Sequence, residues 1–228
     1  MNREDILKLL NSVADKKWAE DIYHKNIVNT KATILGVRTP EMRKLARSLS
    51  KQDNVINLLS DEFFEESMLH GFFLGYEKDI DKAYCMIMDF LPHIDNWAVC
   101  DQTCASMKVF KKDENNLYLD RFISLSLDFR EFYARVGLIM LMTYYLKDDS
   151  IKKILDILPK IQNHSYYVDM AVAWLISFAF VKFREQTLKL IQSRTLCKFV
   201  QNKAICKCRD SFRVSMQDKE ELKNYRIK

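Results

Sequence analysis

Only 4 glycines and 3 prolines punctuate the 228 residues, too few turn residues for the many short connections that sheets need. The six cysteines include no Cys-x-x-Cys pair and meet no paired-histidine spacing, so no zinc motif is readable and reduced, mostly buried thiols are expected. No apolar run reaches the roughly 18 residues that cross a bilayer, and Met1-Asn2-Arg3-Glu4-Asp5 opens no apolar signal region. These absences predict a cytoplasmic chain without membrane association. Neither a glycine-rich phosphate loop nor a Ser–His–Asp or Cys–His pattern stands out, and His24, His70, His93 and His164 are scattered. No cofactor and no metal are expected.

What remains is helical periodicity. Thr39-Pro40-Glu41 combines a capping hydroxyl, a proline for the first helical position and an early acid, predicting a helix through Met42, Leu45 and Leu49. Apolar stripes predict further helices over 4–14, 18–29, 63–76, 82–90, 97–110, 116–127, 131–146, 151–158, 166–183, 185–191, 202–214 and 219–225. The long helices recur every 35 to 40 residues or so, the period of a two-helix repeat. The expected fold is an all-α, right-handed α-solenoid of HEAT-like, armadillo-type helix pairs in one domain over 1–228, with an irregular helical bundle as the alternative.

The net charge of +5 is mild, but from Lys182 to Arg213 nine basic side chains face only Glu185 and Asp210. That end, with Lys203, Lys207, Arg209 and Arg213, suits a polyanion, although a solvated helix face carries such charges too.

In Asp95-Asn96-Trp97-Ala98-Val99-Cys100-Asp101, Trp97 and Asp101 stand four residues apart on one helix face. Arg135 follows Trp97 by 38 residues and Trp174 follows Arg135 by 39, so stacked repeats would carry all four on one wall. Asp101 sits in an apolar helix where an unpaired charge is costly, and pairing with Arg135 to lock two repeats is its plain structural explanation. Each tryptophan, taken alone, is ordinary core packing with its N–H on a carbonyl. Together the four suit a cationic ligand bearing a sugar and phosphate. Indole faces hold positive charge, a guanidinium binds phosphate and a carboxylate stabilises a developing cation.

In order along the chain, Leu35-Gly36-Val37-Arg38-Thr39-Pro40-Glu41-Met42-Arg43-Lys44, the 95–101 segment, Tyr166 through Trp174, and Asn202-Lys203-Ala204-Ile205 resemble the AlkC/AlkD family of bacterial DNA alkylation repair proteins. The resemblance implies a HEAT-like fold and a glycosylase acting on cationic 3- or 7-alkylpurines in duplex DNA, with no base-flipping pocket. It carries the catalytic Trp and Asp onto Trp97 and Asp101, and the family's Arg and second Trp onto Arg135 and Trp174. The family's minor-groove helix corresponds to 15–33, where Lys16, Lys17, Lys25, Lys31 and Tyr23 occur; an ordinary solvated helix explains these equally well. The competing expectation is a catalytically inactive HEAT-like paralogue that binds DNA weakly, or a protein partner, without base excision. A monomer is the default.

Overall fold

The computed structural model describes residues 1–228 except Asn26 and Asp53, and leaves the side chain of Tyr23 undescribed. Asn26 of the expected 18–29 helix and the side chain of Tyr23 in the expected groove element lie outside the described residues, while the rest of both stretches is described. The fold is all-α. Among the described residues there is no strand, only an isolated bridge between Thr33 and Phe63. No helix among them is long and apolar enough to cross a membrane.

The chain divides into two compact units, Met1–Lys112 and Asp113–Lys228. In the first lie α1 (Arg3–Ser12), α2 (Lys16–His24), α3 (Thr39–Leu49), α4 (Phe64–Leu74), α5 (Ile80–Phe90) and α6 (Trp97–Ser106). Helix α4 packs on α3, α5 and α6, the neighbour-on-neighbour stacking of an α-solenoid. Its residues are buried almost all round, including Glu65 and Glu66.

A buried carboxylate must find donors, and these two find them in the N-terminal segment. Glu65 accepts from the backbone N–H groups of Leu35 (3.0 Å), Gly36 (2.8 Å) and Val37 (3.1 Å). Burial pushes its carboxyl above the usual range, against the downward pull of those three bonds. Glu66 receives Nε and Nη2 of Arg3, each at 2.8 Å, and the Ser60 hydroxyl at 3.0 Å. Burial works to raise this group too, but Arg3 and Ser60 prevail and hold it below the usual range.

Gly36 takes φ +92°, a conformation that only glycine adopts without strain. A Cβ there would also run into the Asp15 carbonyl and approach Ala19 Cβ to 2.9 Å. The predicted helix at Pro40 forms as α3, but Thr39 is its first residue and not its cap. Arg38 occupies the cap position, its guanidinium over the Trp18 ring and 3.0 Å from the Asp15 carboxylate.

The second unit contains α7 (Leu119–Ser126), α8 (Glu131–Tyr144), α9 (Ile151–Ile157), α10 (Tyr166–Lys182), α11 (Arg184–Ser193), α12 (Lys198–Asp210) and α13 (Met216–Lys223). Helix α10 is its centre, packed on α8, α11 and α12. Asp113 anchors the start as Glu65 does in the first unit, accepting from Leu117 N–H (2.8 Å), Tyr118 N–H (3.0 Å) and the Tyr145 hydroxyl (2.7 Å).

Several predicted boundaries shift, the 18–29 helix among them, which runs as α2 over Lys16–His24. The 97–110 helix ends at Ser106, where Met107 turns out of helical backbone (φ −73°, ψ 52°), and a 3-10 turn over Lys108–Lys112 follows. The 202–214 helix starts earlier, at Lys198, because Val200 and Gln201 are both buried and extend the core-facing stripe beyond what the exposed Lys198 and Phe199 suggest.

Candidate active-site residues and nucleic-acid interface

Asn96 caps α6 by accepting from Val99 N–H at 3.0 Å, which fixes Trp97 as the first helical residue. The Trp97 indole N–H donates to the Ile27 carbonyl at 2.9 Å. Beside it the Asp95 carboxylate accepts from the Thr30 hydroxyl (2.8 Å), the Lys31 N–H (2.9 Å) and the Asn96 amide (2.7 Å). The entrance of α6 therefore fastens the segment that follows α2. That segment borders a cavity of 840 Å³ lined by Glu20, His24, Thr30, Lys31, Thr33 and Ile34 among others, so the stretch expected to meet DNA is a shaped part of this unit.

One turn along α6, Asp101 is half-buried, as is Trp97, while Ala98, Val99, Cys100 and Cys104 are buried. The pair thus shares the helix face that reaches the surface, as the four-residue spacing predicts. Gly71 of α4 permits this position for α6, since a Cβ there would collide with the Thr103 side chain.

In the second unit, Glu131 and Arg135 lie one turn apart on α8 and hold both backbone groups of Tyr167. Glu131 accepts its N–H at 2.9 Å, and Arg135 donates to its carbonyl at 2.6 Å. Arg135 is 5% exposed. Trp174, two turns along α10, is half-buried, edge-to-face with Phe178 (5.7 Å between centroids) and 6.0 Å from the Lys207 ammonium. Burial, followed by the positive charges of Lys203 and Arg135, pulls the Lys207 pKa below the lysine range. These three cations therefore share a neighbourhood beside an indole. Arg213 extends it, 5.1 Å from the Phe178 ring.

Arg209 stands elsewhere on the same helix. Two residues from Lys207, it projects from the opposite side of α12, and its charge acts on Glu220 of α13. Sequence reasoning also passed over the rings flanking the cations. Phe132 lies 5.5 Å from Tyr167, Tyr167 5.2 Å from Tyr166, and Tyr166 6.3 Å from Phe199. Tyr166 and Phe199 are exposed. The adjacent Tyr166-Tyr167 pair was visible as a signal, but its continuation to Phe132 and Phe199 crosses three helices.

The six cysteines are outside disulfides: Cys100, Cys104 and Cys208 are buried, Cys197 and Cys206 half-buried, and Cys85 exposed.

A family model for DNA alkylation repair enzymes matches residues 6–187. The chain belongs to the DNA alkylation repair enzyme family. No curated protein and no solved structure matches it. Membership gives this family member a role in alkylation repair and implies an interaction with DNA. The matched span includes Trp97, Asp101, Arg135 and Trp174, whereas Lys203, Lys207, Arg209 and Arg213 lie beyond its end.

Proposed function

We propose that this alkylation-repair protein is a DNA glycosylase that hydrolyses the N-glycosidic bond of cationic 3- or 7-alkylpurines in duplex DNA. The observation that carries the reading is the half-buried Asp101 carboxylate on the one face of α6 that reaches the surface, one turn from the Trp97 indole. Alkylation has already made the base a cationic leaving group. The C1′–N bond breaks with its electron pair going to the base, and positive charge develops on the sugar. Water then adds at C1′ and gives its proton to solvent. Asp101 stabilises the oxocarbenium-like charge and orients that water; the Trp97 face favours the cationic nucleotide, and Trp174 is the indole that the second unit offers to alkylated DNA. No redox or metal step is needed at a bond that is already activated.

Arg135, bound to the Tyr167 carbonyl, sets the first turn of α10 and contributes charge toward the sugar-phosphate, while the more accessible Lys203 and Lys207 contact phosphate. Arg213 adds to this surface, and Arg209 acts on α13 instead. The protein is proposed to work as a cytoplasmic monomer without a cofactor.

A noncatalytic HEAT-like scaffold that binds DNA weakly, or a protein partner, is the second reading. It draws on the structural bonds that already engage the Trp97 N–H and the Arg135 guanidinium. Incubation of excess protein with methylated duplex DNA separates the two. Free 7-methylguanine or 3-methyladenine supports the glycosylase, and intact glycosidic bonds with folded protein contradict it.

A further inference from the structure

On the side of α10 away from Trp174, three different ligand types converge. His164, in the loop before α10, places Nδ1 3.0 Å from Oδ1 of Asp169 in the helix's first turns. Cys197, just before α12, completes the group: one ligand atom from each of His164, Asp169 and Cys197 lies within 4.8 Å of the others. Asp169 and Trp174 are five residues apart, about 140° around the helix at 100° per residue, so this cluster is separate from the cation and aromatic surface described above. The three side chains border a cavity of 260 Å³, floored by Leu158, Ile161, Val172 and Val200.

We propose that His164, Asp169 and Cys197 form a binding site for a zinc-class divalent cation, with a water as fourth ligand on the cavity side. One nitrogen, one oxygen and one sulfur donor are the mixed set that a tetrahedral, borderline-soft ion accepts. Metal–ligand bonds of 2.0 to 2.3 Å place tetrahedral donors about 3.3 to 3.6 Å apart. Small rotations of exposed His164 and half-buried Cys197 reach those separations, while the carboxylate is held in place because Asp169 is only 5% exposed. On binding, the thiol proton leaves to solvent and the sulfur–metal bond replaces it. Asp169 and the thiolate then neutralise the dication, and the cavity has room for a water, whose share of liquid volume is about 30 Å³. The bound ion ties together the loops that precede α10 and α12, the helices that carry Trp174, Lys203 and Lys207.

Chelator-treated full-length protein titrated with cobalt(II), then with zinc, tests the site. The expected result is a thiolate-to-cobalt charge-transfer band at one ion per chain that zinc abolishes. Cys197→Ser should remove the band, and Cys85→Ser and Cys206→Ser should keep it. Asp169→Asn and His164→Gln should each weaken zinc binding by at least about 100-fold, since even the loss of an outer-shell partner costs 10- to 100-fold. No band in the wild type, a band that survives Cys197→Ser, or unchanged zinc affinity in both the Asp169 and His164 variants would overturn the assignment. The readouts are independent of base excision, so failure of the glycosylase reading leaves them intact.

Discussion

In the first unit the buried charges are carboxylates that hold a chain segment, whereas in the second the charges gathered at α10 and α12 are cations set among aromatic rings. Glu65 and Glu66 fix residues 35–37 and Arg3 against α4. Asp113 shows that the second unit uses the same anchoring device. What it adds is a Lys207 whose pKa is lowered by burial and then by the nearby charges of Lys203 and Arg135, beside Trp174 and a run of rings ending at exposed Phe199. Repeated helix stacking thus supports two chemistries. Asp101, half-buried on the face of α6 that reaches the surface, is more open than the buried Glu65 and Glu66 of the same unit.

The comparison is broken most severely at Gly36. Gly36→Ala forces a side chain into φ +92° and against the Asp15 carbonyl, and stability should fall by about 3 kcal/mol. A urea-unfolding midpoint equal to that of the wild type would show that the 35–37 anchor is not rigid.

His70 offers a pH test of the first unit. Burial, with the His93 charge second, lowers its pKa from 6.5 to about 4. The folded value is below the unfolded one, so the contribution to stability is present above pH 6.5 and is lost as pH falls toward 4. The loss should reach up to about 3 kcal/mol, and His70→Phe should remove this limb of the stability profile. A histidine resonance for His70 titrating near 6.5 would contradict the assignment.

Smaller effects separate the roles of the two units. Asp101→Asn should slow base excision about 50-fold or more, roughly 2 kcal/mol of transition-state stabilisation, with DNA affinity nearly unchanged. The double change Lys203→Ala and Lys207→Ala should weaken DNA binding about tenfold and flatten its salt dependence by nearly 2 in the log–log slope. A salt slope equal to that of the wild type would remove both lysines from the phosphate surface.

Helix periodicity, Gly36 and Pro40 made the all-α fold and α3 readable from sequence, because those signals are local. The face shared by Trp97 and Asp101 was readable for the same reason. Long-range pairing was not. The donors to Glu65 lie 28 to 30 residues away and Arg3 lies 63 from Glu66, so two acids inside an apolar helix gave no clue to their partners. His164 and Cys197 meet only because α10 and α11 fold between them, a separation no zinc spacing rule spans. Arg209 and Lys207 read alike in a basic run, whereas helix geometry sets residues two apart about 200° from each other.

Single-turnover release of 7-methylguanine and 3-methyladenine from methylated duplex DNA, at saturating protein, tests the division of labour most directly. Wild type, Asp101→Asn and the Lys203→Ala, Lys207→Ala double variant are run side by side. The account predicts release by the wild type, a recovered rate for the lysine variant once saturated, and slow or absent release by Asp101→Asn although it binds. Equal rates for Asp101→Asn and wild type would contradict it.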